Sequence, residues 1–252
     1  MTLSHPDSVN VMLNTRAFSF VLIGKWFSAL AVCAVLGLFI LQAWHSGSAY
    51  AVEHRVHMKL ASWYVASAEP GRAQWRVQQM HMKQAIALMP GNALFNITLG
   101  RLYEFRAFHI ERKGSVERNL DALKAMNRYR QASRESPTWV YPWLDMAEIK
   151  SRIGQLDDEF MVAYLHAIKL GPWEKNVMPT LVDLGLYAYT SMSEAQQGQV
   201  DAYIDRVVAG ESRQIAQTLK SWENFGYDCQ RLQQFKRRFA FGKLCAGKAA
   251  GN

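Results

Sequence analysis

The fold of this chain is decided by the stretch WFSALAVCAVLGLFILQAW at residues 26–44. This apolar run contains no charged residue, and roughly 19 helical residues rise about 30 Å, the thickness of the hydrocarbon core of a bilayer. Trp26 and Trp44 bound the run, as aromatic residues do at both interfaces of a membrane. We therefore predict a transmembrane helix over 26–44, which separates an N-terminal segment (1–25) from about 200 further residues.

The apolar run has two interpretations, an anchor or a cleaved signal. Residues 49–51 have the A-x-A form that signal peptidase recognises. The run is longer than the 7–15 residues of a signal peptide, which favours an uncleaved anchor. Lys and Arg are nearly balanced on the two sides of the run, so charge alone does not decide its orientation.

The composition of the whole chain is that of a folded protein. Apolar residues make up 50 % and charged residues 20 % of the chain, and its formal net charge is +8. Lys and Arg are scattered among Asp and Glu, and are densest at residues 231–248. We interpret this basic group as a solvated helix face, with lipid head groups or an acidic glycan as the alternatives. Nucleic acid is not expected as a partner.

Three cysteines bear on the compartment. Cys33 lies inside the apolar run, where it serves as a small hydrophobic residue. Cys229 and Cys245 have neither the spacing of a zinc site nor that of a CxxC motif. We expect a disulfide between them, worth about 3 kcal/mol for a loop of roughly 15 residues, the alternative being two free thiols. A disulfide would favour an oxidising compartment such as a periplasm, with residues 1–25 in the cytoplasm.

Three segments beyond the run end alike before a proline. They are AIALMP (85–90), ASRESP (132–137) and AIKLGP (167–172), each with alanine five residues before proline. The residues three before these alanines are bulky: Met82, Tyr129 and Tyr164. The pattern resembles the second helix of a tetratricopeptide repeat (TPR), which ends F-x-x-A-x-x-x-x-P.

The first helices of the same repeats are also recognisable. Residues 99–103, LGRLY, fall where the repeat has L-G-x-x-Y, and Trp143 and Ala147 fall at its Trp and its small residue. The two proline intervals are 47 and 35 residues, which predicts an insertion of about 13 residues around 104–118. We predict an all-α fold with TPR-like helical hairpins over 45–210. A less regular all-α bundle is the alternative.

A further helix pattern starts at Ser193-Glu194 and runs to about Lys220. Apolar residues recur on one face of it: Val200, Tyr203, Ile204, Val207 and Val208. We predict that this helix caps the repeats. Residues 211–252 would form a C-terminal helical cap, pinned by the Cys229–Cys245 disulfide.

The sequence contains no recognisable catalytic motif. G-x-S-x-G, a P-loop, H-E-x-x-H and an EF-hand loop are all missing, so we expect a protein that is not an enzyme and that binds no cofactor or metal. His54 and His57 share a helix face near Glu53, but a metal site would need further ligands. An enzyme would require a pocket with convergent His or carboxylate groups, perhaps there, and we expect none.

Aromatic residues provide the best candidate for a binding surface. Trp139, Tyr141 and Trp143 lie close in sequence, and Trp173 follows about one repeat later. Aromatic faces stack on sugars or hold a partner segment. The alternative is that these rings fill the space between hairpins.

The anchor, the TPR-like region and the distal cysteines together resemble the VpsP-like family of bacterial exopolysaccharide-biosynthesis proteins. The resemblance implies a single-pass inner-membrane protein with its bulk in the periplasm. Its repeats would scaffold the proteins of a polysaccharide synthesis, polymerisation or export complex. The alternatives are a glycan-binding module that acts on the growing polymer, and a cytoplasmic TPR adaptor if the orientation is reversed.

Overall fold

The computed structural model describes residues 8–66, 70–209, 217–219 and 221. The described residues form helices and no strand, so the predicted all-α class is confirmed. The chain divides into two units, Met1–Ala51 and Val52–Asn252.

The first unit contains most of one long helix, α1 (Ser8–Val65). Between residues 30 and 44 its large apolar side chains are exposed on all sides; they include Leu30, Val32, Val35, Leu36, Leu38, Phe39, Ile40 and Leu41. A helix that is apolar all round belongs in hydrocarbon or in a large core. Among the described residues, one helical stretch, Leu30–Val65, is long and apolar enough to cross a membrane, and none of its most apolar window is buried.

The second unit is a series of helices joined by short loops. After the last residues of α1 come α2 (Arg72–Leu88), α3 (Ala93–Phe105), α4 (Val116–Glu135), α5 (Val140–Arg152), α6 (Asp158–Leu170), α7 (Met178–Ala188) and α8 (Glu194–Ala209). Helices α3 and α4, α5 and α6, and α7 and α8 pack as consecutive hairpins. We call residues 52–65 of α1 together with α3, α5 and α7 the inner helices. They are neighbours in that order: Thr98 donates a hydrogen bond to Glu53, and α5 contacts both α3 and α7.

The repeat positions predicted from the sequence form the core of the hairpins. Helices α2, α4 and α6 each end two residues before a proline, as predicted. Tyr129 and Tyr164 are fully buried. Tyr129 covers Gly100 on α3, and Tyr164 covers Gly185 on α7. Small residues on the inner helices thus allow the second helix of a hairpin to approach closely.

The insertion predicted at 104–118 lies largely within helices. Helix α3 continues as a π-helical turn, Arg106–Ile110, and α4 is 20 residues long. The extra residues therefore lengthen both helices of this hairpin and leave a short connection. Arg106 holds the turn in place, because its guanidinium lies 2.7 Å from Asp121 on α4 and 3.0 Å from Glu111.

The start of the last predicted helix is confirmed. Ser193 caps α8, because its Oγ accepts a hydrogen bond from the backbone N–H of Gln196 at 3.4 Å, and its own N–H donates to the side chain of Gln196 at 2.9 Å. Val200, Tyr203 and Ile204 form its buried face. Most of the predicted cap (211–252), including the Cys229–Cys245 disulfide, lies outside the described residues.

Candidate functional site

A cleft of about 360 Å³ runs along the inner helices of the second unit. We call it the inner groove. All four inner helices contribute to it, and so does Asn176 in the connection just before α7. Its lining residues are His57, Leu60, Ala61, Tyr64, Arg101, Glu104, Tyr141, Leu144, Asp145, Glu148, Arg152, Asn176 and Thr180.

Two arginine–carboxylate pairs fix the floor of the inner groove. Arg101 on α3 binds Asp145 on α5 in a bidentate pair, with N–O distances of 2.8 and 3.0 Å. Arg152 on α5 binds Glu104 on α3 at 2.7 Å, and the hydroxyl of Tyr129 donates to the other oxygen of Glu104. Both carboxylates are almost fully buried. The pairs therefore tie two inner helices together.

Glu148 is a third carboxyl in the inner groove, and it is half-buried. Among the described residues, none forms a hydrogen bond or ion pair with its side chain. Burial, together with the nearby charges of Glu104 and Asp145, raises the pKa of Glu148 to about 7. Burial also raises the pKa of Glu104, although Arg152 opposes that shift. Arg152 and Arg101 oppose the shift of Glu148 from a greater distance, so Glu148 is the carboxyl of the groove without a cation of the described residues at ion-pair distance.

The walls of the inner groove are aromatic and aliphatic. Tyr64 is half exposed, and its ring meets Phe105 edge-on with the centroids 5.1 Å apart. Tyr141 lines the groove on α5. Leu60 and Leu144 are buried beside them. The groove thus combines an apolar wall with an unpaired acid.

The structure brings two of the four predicted aromatic residues together. Trp139 precedes α5, is half-buried, and meets Tyr141 in a T-shaped contact with the centroids 5.8 Å apart. Only Tyr141 of this pair lines the inner groove.

The other two predicted aromatic residues have different surroundings. The indole N–H of Trp143 donates to the carbonyl of Pro137 at 2.9 Å, and its ring stacks on His166 of α6 at 4.4 Å. Trp173 is 58 % exposed in the connection between α6 and α7. The helical geometry of α5 directs Trp143 to α6 and Tyr141 to the groove, and a binding role for the four rings stays a prediction.

The histidine region has a structural carboxylate at its centre. Glu53 is buried and accepts a hydrogen bond from Thr98 at 2.7 Å, which links α1 to α3. His54 is exposed, whereas His57 lines the inner groove. Within the described residues, no three His, Cys, Asp or Glu side chains are arranged to hold a metal ion.

The expectation that no pocket gathers titratable groups was wrong. The inner groove collects Glu104, Asp145 and Glu148, with His57 among its lining residues. It lies along α3 and α5. In the sequence, the charged side chains of these helices have the pattern of solvent-exposed residues. A signal was available: aligning Gly100 with Ala147 puts Arg101 and Glu148 at the same position of successive inner helices.

A second cleft, of about 540 Å³, is lined by residues of α2, α3, α4 and the connection after α2. Lys124, Arg128 and Arg134 give it a basic character. Arg128 is already engaged: it donates to Asn96 at 3.0 Å, and Asn96 donates to Glu135 at 2.8 Å. The network links α3 to α4 and leaves fewer unpaired groups for a ligand.

A scan against protein-family models finds none that matches this chain, and a search of curated proteins finds no significant match. What the protein does is therefore inferred from its apolar segment, its helical hairpins and the inner groove.

Proposed function

We propose that this protein is a non-enzymatic, single-pass bacterial inner-membrane scaffold whose helical hairpins bind a partner protein of exopolysaccharide synthesis or export. The observation that carries the proposal is the inner groove, which follows the inner helices from α1 to α7. Stacked hairpins present such concave surfaces to partner segments and need no chemistry of their own. Arg101 and Arg152 support this role, because each neutralises one carboxylate and rigidifies the floor.

The membrane part of the proposal places the span at 26–44 and the hairpins in the periplasm. The exposed apolar surface of α1 supports the span. The periplasmic side follows from the expected pairing of Cys229 and Cys245. Alkaline phosphatase fused after Asn252 should be active, because it needs an oxidising compartment to form its own disulfides. An inactive fusion that is present at full length would favour the cytoplasmic adaptor instead.

The assignment to exopolysaccharide production rests on the resemblance to the VpsP-like family. Affinity purification of the full-length chain from its host should recover polysaccharide synthesis or export proteins, and a deletion strain should lose the polymer. Normal polymer in the deletion strain would contradict the proposal.

A glycan-binding module is the second candidate, favoured by the Trp139–Tyr141 pair and by the exposed ring of Trp173. Aromatic rings beside polar groups are suited to stacking on sugars. Host polysaccharide added to the full-length protein should then quench tryptophan fluorescence, and Trp173→Ala should reduce the change. No change with either protein would exclude this candidate.

A further inference from the structure

The two arginines of the groove are paired with carboxylates other than Glu148. Arg101 and Arg152 each already bind a carboxylate, at 2.8 and 2.7 Å. The titratable groups that line the groove with Glu148 are His57 and Tyr64 on α1, Arg101 and Glu104 on α3, and Tyr141, Asp145 and Arg152 on α5; α7 and its preceding loop add the uncharged Thr180 and Asn176. Tyr129 on α4 is engaged with Glu104, to which its hydroxyl donates. When Glu148 is ionised, the three carboxylates of the groove outnumber its two arginines.

The wall beside Glu148 suits an alkyl chain that ends in a cation. Leu60 and Leu144 offer aliphatic contact, and the half-exposed ring of Tyr64 offers aromatic surface to a positive group. The guanidinium of Arg101 already lies over the ring of Tyr141, 5.7 Å from its centroid. Lysine and arginine side chains combine these two features, because their methylene stems pack on apolar surface while the head group remains charged. An acidic ligand would instead have to displace Asp145 or Glu104 from its arginine.

We propose that the inner groove binds a lysine or arginine side chain of an extended partner segment, and that the cationic group pairs with the carboxylate of Glu148. This inference rests on the proposed function, because it specifies the partner of the same groove. The stem lies along Leu60 and Leu144, and the head group reaches Glu148 between Tyr64 and Tyr141.

Binding at this site is coupled to a proton. Burial raises the pKa of Glu148 to about 7, so part of the free protein is protonated at neutral pH. The cation binds the ionised form, and the proton leaves to solvent. With a pKa of about 7, roughly one tenth of Glu148 is ionised at pH 6 and roughly nine tenths at pH 8. Affinity should therefore be about tenfold weaker at pH 6 than at pH 8.

The test uses the full-length protein in lipid nanodiscs and two fluorescein-labelled pools of ten-residue peptides. One pool has a fixed central lysine with Gly, Ser, Ala and Leu at the other positions. The matched pool has norleucine, which keeps the stem and removes the charge. Fluorescence anisotropy at pH 6 and pH 8 gives the apparent Kd of each pool.

We expect the lysine pool to bind at least tenfold more tightly than the norleucine pool at pH 8, and Glu148→Gln to abolish this preference. Glu117→Gln removes an exposed carboxylate outside the groove and should keep it. His57→Gln should keep the pH dependence, which would assign the proton to Glu148. Equal binding of both pools would overturn the cation site while the segment-binding groove stands. Binding of neither pool would also overturn the cation site, and co-purification would still test the scaffold separately.

Discussion

Gly100 shows how one residue sets the distance between two helices. A β-carbon at this position would lie 2.5 Å from Cε1 of Tyr129 and 2.9 Å from Cδ1. Tyr129 has no room to move, because its ring is fully buried and its hydroxyl donates to Glu104. The close approach of α3 and α4 therefore depends on the missing side chain.

Gly100→Ala should destabilise the second unit by about 1–3 kcal/mol, the range for overpacking a well-packed core. Gly198→Ala is the control: that glycine is exposed on α8, with nothing within 4 Å of an added β-carbon. It should stabilise the protein by up to about 1 kcal/mol, since alanine favours a helix. Denaturant unfolding followed by circular dichroism measures both, and equal midpoints for the two variants would contradict the close contact.

Glu148→Gln should stabilise the protein at high pH. Because the folded-state pKa of Glu148 is about 7 and its ordinary value is 4.5, the folded protein holds the proton more tightly than the unfolded chain. Stability from this group is therefore lost as pH rises from about 4.5 to 7. The variant should be nearly neutral at pH 4 and more stable by about 1–3 kcal/mol at pH 8. If the difference in the free energy of unfolding between Glu148→Gln and the wild type does not change with pH, the pKa of Glu148 is not raised and the prediction fails.

At the scale of elements, the π-helical turn after α3 is held by an ionic cluster. Arg106 pairs with Glu111 and Asp121, and its guanidinium lies 4.4 Å from the ring of Trp75 on α2. Asp121 is fully buried, and burial raises its pKa in spite of Arg106. One side chain thus joins α2, the turn and α4.

Arg106→Met should cost about 2–4 kcal/mol, because the variant leaves buried carboxylates with fewer partners. Lys124 still pairs with Asp121 at 3.2 Å, which keeps the loss moderate. Arg134→Met is the control, because Arg134 is exposed and bonds Gln131 on the same helix. It should change stability by no more than about 0.5 kcal/mol. Equal losses of stability in the two variants, measured by thermal unfolding, would contradict a stabilising role for the ionic cluster.

The hairpins were predicted from the sequence, whereas the groove was not. Proline marks the ends of α2, α4 and α6 because it supplies no backbone N–H to continue a helix. Alanine and the bulky residue three before it mark the cores because close packing restricts both residue types. The π-helical turn was missed because residues 106–110 continue an ordinary helical pattern. Glu148 was missed because a charged residue on a helix face has no local signal of burial, which comes from the neighbouring hairpin.

At the scale of the whole molecule, the apolar face of α1 should determine where the protein resides. Leu36 and Ile40 are exposed on adjacent turns of that helix. Replacing both with lysine should release the protein from membranes, since each charge costs about 2.5–3.5 kcal/mol at the centre of a span. Leu120→Lys with Leu123→Lys, two exposed apolar residues of α4, is the matched control and should remain membrane-bound. Retention of both variants after carbonate extraction would contradict the anchor.

The most direct test of the central claim is site-specific photo-crosslinking in intact host membranes. A photoreactive phenylalanine analogue is placed at Tyr141, which lines the inner groove, or at Val162, which is exposed on α6. We predict an adduct at position 141 whose cross-linked partner peptide contains lysine or arginine, little adduct at 162, and loss of the adduct in the Glu148→Gln background. Adducts at 162 alone, or adducts at both positions that Glu148→Gln leaves unchanged, would contradict the claim that the inner groove binds the partner.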